Sequence, residues 1–174
     1  PIFWDSSCDA HNVRSRLNII ENHPHRQLFV NTSNTVLLEA IGSSLPNSNS
    51  VNDFSFLFHT QGRYNYEDIA IDLLPHGFSV LLYYFGEKNL HSFNWKITRN
   101  NFHCQFIYGH CNVKFDFQEH PDGNKRLSFG LNDNSFERIQ VGSGESYKVY
   151  MQEGKTGKRF HTNDPFKVYI DRFI

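Results

Sequence analysis

The stretch Asn112-Val113-Lys114-Phe115-Asp116-Phe117 alternates polar and apolar residues without a break, so Val113, Phe115 and Phe117 share one face. A period of two is that of a half-buried strand with one wet face. Working outward, residues 102–107 read as its hairpin partner, with Tyr108-Gly109 as the tight turn between them. Downstream, His120-Pro121-Asp122-Gly123-Asn124 is a turn cluster, and residues 127–131, 136–141, 147–151 and 166–173 read as further strands, with a hairpin tip at 154–157. Upstream, residues 28–30, 36–41, 54–59, 69–73 and 78–85 read the same way, and the Ser- and Asn-rich segment 42–53, with Pro46, reads as an exposed loop. Helical spacing is confined to residues 5–23, where Val13, Leu17 and Ile20 recur at i, i+4 and i+7, Asp9 can cap the start, and His23-Pro24 ends the run.

Composition points the same way. Aromatics make up 16% of the 174 residues, with 17 Phe and 8 Tyr, whereas Ala occurs only at 10, 40 and 70. Aromatic side chains fit pleated, half-buried surfaces and Ala favours helices. Hydrophobic residues at 39% and charged residues at 20% exclude a disordered chain. The expectation is an all-β antiparallel sandwich: residues 1–25 form an N-terminal extension containing the one helix, and residues 26–174 form a single β domain.

Charge argues against nucleic acid as a partner. The formal net charge is −1, from 17 basic and 18 acidic residues mixed along the chain, with no basic stripe to follow a phosphate backbone. No apolar run reaches the roughly 20 residues that span a bilayer. No basic-then-apolar leader opens the chain, which begins at Pro1 and is expected to be trimmed or processed. Three cysteines, Cys8, Cys104 and Cys111, cannot all pair within one chain, which leans toward a reducing compartment; cytoplasmic and extracellular locations both stay open.

The motifs of common catalytic sites are absent. Gly154-Lys155-Thr156 is like the end of a phosphate-binding loop, but Val149 stands where the earlier glycine is required, so a hairpin turn is the better reading. Neither a Gly-x-Ser-x-Gly elbow nor a His-Glu-x-x-His pair occurs. If Tyr108-Gly109 turns the hairpin, Cys104 and Cys111 lie on one face and His103 and His110 on the other. Two thiols alone do not close a zinc site, and they read as core residues; no metal or other cofactor is expected. Trp95 follows the polar stretch 87–94 and precedes Lys96, a setting in which a ring can stack on a sugar or anchor an interface, or simply join the core.

The order of these features resembles the galectin family. Asp68-Ile69-Ala70-Ile71-Asp72-Leu73-Leu74-Pro75-His76 is similar to that family's central sugar-contacting strand, and Trp95 follows at a spacing like that of its stacking tryptophan. Residues 101–120 resemble its late hairpin and 127–141 its closing strands. The resemblance implies a galectin-like, jelly-roll type sandwich and a ligand site at Asp72, His76, Trp95, Thr98 and Asn100, without metal. It departs from the family at the sugar-reading positions: Asp72, Leu74 and His76 stand for His, Asn and Arg, and Thr98 and Asn100 for Glu and Arg. The expectation is therefore a non-catalytic recognition module for a protein or altered glycan, with β-galactoside binding lost. Two alternatives stay open: a carbohydrate-binding or viral surface-attachment domain working through Trp95, and a small metal-independent hydrolase using histidines such as His59 with His76.

Overall fold

The computed structural model describes residues 34–163 and, outside that span, 2–3, 28–29, 167–168 and 171. The helix expected over 5–23 and the boundary at 25/26 lie outside the described residues. Ile2–Phe3 (β1) and Leu28–Phe29 (β2) form a small parallel pair. Among the described residues the other strands form one eight-stranded sheet: Asp53–Thr60 (β3), Leu90–Ile97 (β4), Asn101–Tyr108 (β5), Cys111–Glu119 (β6), Arg126–Leu131 (β7), Asn134–Val141 (β8), Lys148–Glu153 (β9) and Arg159–Thr162 (β10). Their order across the sheet is β10-β9-β8-β7-β3-β6-β5-β4. All neighbours are antiparallel except the central pair β3 and β6, which run parallel from Asp53↔Asn112 to Thr60↔Glu119.

Two helices cover one face: Thr35–Ile41 (α1) over β9 and β10, and Glu67–Phe85 (α2) over β5 and β6. The fold is thus a mixed sheet with helices on one side. This corrects the sandwich reading, and the physical reason lies in α2. Its buried apolar side chains, Ile69, Leu73, Val80, Leu81 and Phe85, follow the helical repeat, with Gly77 on the same face. Ile71, which a strand reading would place beside Ile69 and Leu73, is 38% exposed. Pro75 and Gly77 look like breakers and split the run into two apparent strands, yet both sit inside the helix. Gly77 is needed there for space, since a Cβ would stand 2.7 Å from the Phe115 ring. Glu67 and Asp68 complement the positive helix start, and Gly86, at φ 69°, closes the end.

The other strand expectations divide by their range in sequence. β5 through β9 lie where alternation placed them. The β5–β6 turn carries Gly109 at φ 64°, and Tyr108 pairs with Cys111. Residues 36–41 are helical rather than extended, as are 167, 168 and 171 within the expected last strand. β4 and β10 were not anticipated: β4 is an edge strand, exposed along most of its length, so it shows no alternation. Under the helices Phe115 contacts the rings of Phe56, Phe78, Phe106 and Phe117, and this aromatic layer is the centre of the core.

Candidate active site

At the end of the sheet where β3 and β6 finish, the N-terminal half of α2 faces a cleft of about 360 Å³. Asp72 and His76, one helical turn apart on α2, line it together with Glu119 from the end of β6. Thr60 at the end of β3, Gln61 and Tyr64 from the segment after it, and Lys125 ahead of β7 complete its polar wall.

Glu119 is a carboxyl group built into the interior. The β6 alternation that buries Val113, Phe115 and Phe117 also places Glu119 on the covered face, where it is 1% exposed. Its side chain occupies the space a Cβ on Gly62 would need, which explains a glycine at that position. The Tyr64 amide donates to Glu119 Oε2 at 2.9 Å, and Asn100 grips its backbone twice, donating through Nδ2 to the carbonyl (2.9 Å) and accepting from the amide (3.0 Å). Burial, followed by the hydrogen bond and charge of Asp72, pushes the Glu119 carboxyl up to about 7, against the opposing pull of the Tyr64 amide. Among the described residues no cation forms an ion pair with it.

His76 is held from two sides. Its ring stands edge-on to Phe58 at 5.2 Å, and Asn34 Nδ2 lies 3.2 Å from its Nδ1. Asn34 sits at the N-cap of α1 but makes no capping hydrogen bond; its amide is directed to the imidazole instead. An amide N–H donating to Nδ1 leaves the proton of the neutral ring on Nε2. Burial lowers the His76 pKa below its ordinary 6.5, with the negative charge of Asp72 opposing. At neutral pH the cleft therefore presents a neutral imidazole donor beside Asp72 and a Glu119 carboxyl pushed up to about 7.

Of the residues singled out from sequence, Asp72 and His76 are brought together. Asn100 supports Glu119 from behind, and Thr98, in the same β4–β5 turn, hydrogen-bonds Asn101. Trp95 does not join them: it is 61% exposed on the edge strand β4, beside Cys104 of β5. His59 and His76 lie on opposite faces of the sheet, since His59 bonds Asp116 on the open side at 3.3 Å; the two-histidine hydrolase site is not formed. Glu119 and Asn34 were missed. The first had a signal, a carboxylate continuing the apolar face of the 113–117 alternation; the second had none.

No protein-family model matches this sequence, and no curated protein does. Solved structures do share the fold. A protein assigned as an oxidoreductase, yvaA of Bacillus subtilis, superposes with a TM-score of 0.56 at 14% identity, over 91% of this chain and 58% of that one. An assigned oxidoreductase from Klebsiella pneumoniae gives 0.53 at 15% identity, over 93% and 56%. A 3-ketoreductase from Actinomadura kijaniata, solved with NADP, gives 0.54 at 11% identity, over 91% and 55%. The chain thus spans a little over half the length of each. What this chain shares with them is the fold.

These likenesses, with α2 standing where a sugar-contacting strand was expected, overturn the galectin resemblance. They also overturn the galectin-like recognition module and its lectin alternatives, while the separation of His59 from His76 removes the hydrolase. Among the described residues no helix is long and apolar enough to cross a membrane. The Gly-x-Gly-x-x-Gly fingerprint does not occur, Gly142 and Gly144 being followed by Tyr147, and the described parallel strand pairs lack that motif.

Proposed function

We propose that this chain forms the substrate-side, acid–base part of an oxidoreductase site acting on a hydroxyl or carbonyl group of a hydroxylated small molecule. The observation that carries the reading is the convergence of Asp72, His76 and Glu119 in one cleft, on a fold shared with oxidoreductases. Interconverting a carbonyl and an alcohol requires a proton at oxygen and a hydride at carbon, and the hydride would be exchanged with a nicotinamide dinucleotide bound outside the described residues. The residues here address the oxygen. His76 Nε2–H donates a hydrogen bond that orients and polarises it, and the Lys125 cation adds to that field. The Glu119 carboxyl, pushed up to about 7, can hold or release a proton near neutral pH, the condition for general acid–base work. Thr60 and Tyr64 supply partners for neighbouring hydroxyls, while Phe58 and Leu73 give the apolar floor.

The test is a proton–nitrogen NMR titration of the protein with a panel of polyols and their ketose counterparts. Ligands are expected to move the amides of Gly62 and Tyr64 and the His76 ring; Asp72→Asn should weaken the response about tenfold or more, as loss of a charged hydrogen bond does, and His76→Gln, which removes a neutral donor, about threefold or more. Shifts confined to β4 and Trp95, or a response indifferent to both substitutions, would refute the reading.

A further inference from the structure

A second cleft opens beside the first, and its cause is a fork in the sheet. The β3–β7 ladder runs to His59↔Arg126, whereas the β7–β8 ladder stops at Ser128↔Glu137. β8 continues with β9 to Val141↔Lys148, so β7 and β8 part beyond Ser128 and Glu137. The gap holds about 550 Å³ and is lined by Lys125, Arg126, Glu137, Arg138 and Gln140, among others. It meets the first cleft at Phe58, Thr60 and Lys125, which line both.

The charges in the fork do not cancel. Arg126 Nε donates to Glu137 at 2.7 Å and that pair is neutral together. Lys125 and Arg138 pair with no carboxylate among the described residues. Arg138 is fixed by neutral groups, the Tyr147 hydroxyl and, in the amide orientation that satisfies both ends, the Gln140 carbonyl, while its buried Nε has no hydrogen-bond partner. A guanidinium held in place by neutral groups and a second cation lining the same cleft, neither paired with a carboxylate, are the chemistry that receives an oxyanion. The first cleft, with Asp72 and Glu119, repels one.

We propose that the fork is an anion subsite, so that the substrate is a hydroxylated molecule carrying a phosphate or carboxylate, its anionic end at Lys125 and Arg138 and its reacting oxygen at His76. The assignment rests on the reading of the first cleft given above. Sorbitol, gluconate and sorbitol 6-phosphate, which share a carbon chain and differ in the anion, separate the possibilities by calorimetry and NMR. Gluconate or the phosphate ester should bind at least about tenfold more tightly than sorbitol, roughly 1.4 kcal/mol, and whichever is preferred names the anion. Arg138→Gln should erase that preference. Lys125→Gln should reduce it, which keeps the test alive if the first variant misfolds. Inorganic phosphate alone should shift the Arg138 Nε–H resonance without moving Gly62 or Tyr64. Equal affinities for all three ligands would overturn the anion subsite and leave the hydroxyl site standing. Phosphate binding at Arg138 with no response of Gly62 or Tyr64 to any of the three would instead refute the hydroxyl site, and the substrate assignment with it.

Discussion

Glu119→Gln changes a buried carboxyl into a neutral group of nearly the same shape, and its effect on stability should depend steeply on pH. In the unfolded chain the carboxyl ionises at its ordinary 4.5, and in the folded protein at about 7. Below pH 4.5 both states hold the proton and the contribution of the protonated group is fully present. As pH rises through 7 the folded state must ionise a group enclosed by Gly62, Tyr64 and Asp72, and that contribution is lost. One proton over one pH unit is worth about 1.4 kcal/mol, so the interval carries on the order of 3 kcal/mol. Glutamine keeps an oxygen to accept from the Tyr64 amide and offers Asp72 an N–H in place of the carboxyl proton. Relative to wild type, the variant should therefore gain on the order of 3 kcal/mol between pH 4.5 and pH 8, or roughly 6–12 °C in Tm for a chain of this size. His76 titrates with the opposite sign: its lowered pKa means stability is lost as pH falls below 6.5. Since both proteins carry it, comparing their urea unfolding curves at the two pH values isolates Glu119. Parallel pH dependences, with a constant offset between the proteins, would refute the argument.

Three further outcomes follow from the same geometry. Gly77→Ala ordinarily gains about 0.5–1 kcal/mol in a helix interior, but here its Cβ meets the Phe115 ring, so chemical denaturation should show a net loss of about 1–3 kcal/mol; a gain would mean the ring yields freely. Burial pushes the thiol of Cys104 up to about 12 and that of Cys111 to about 11, so peptide mapping after brief alkylation at neutral pH should find both unmodified until denaturant is added. Labelling of Cys104 at the rate of an unfolded peptide would contradict its placement. Trp95→Ala should alter unfolding free energy by no more than about 0.5 kcal/mol and leave ligand responses at Gly62 unchanged, since the ring is exposed on an edge strand; a large loss of either would show that Trp95 belongs to the core or to the site.

What the sequence determined by itself was whatever a short-range period encodes. The alternation in residues 112–117, the glycine of the turn before it and the runs behind β7, β8 and β9 are local patterns, and the strands stand where those patterns are. The spacing of Asp72 and His76 also carried through, although a strand was expected: four residues is two strand periods and close to one helical turn, so both structures put the pair on one face. Tertiary structure alone decided the rest. Pro75 and Gly77 read locally as breaks, and only the fit of α2 against Phe115 makes one helix of that segment. The parallel pairing of β3 with β6 joins strands separated by α2, β4 and β5, which no local signal encodes. The exposed β4 has no alternation to reveal it. The chemistry of the cleft is likewise a property of the assembled fold. A carboxyl group takes its proton affinity from the water it loses and the charges it meets, and Glu119 meets Gly62, Tyr64 and Asp72 only when the chain has closed around it.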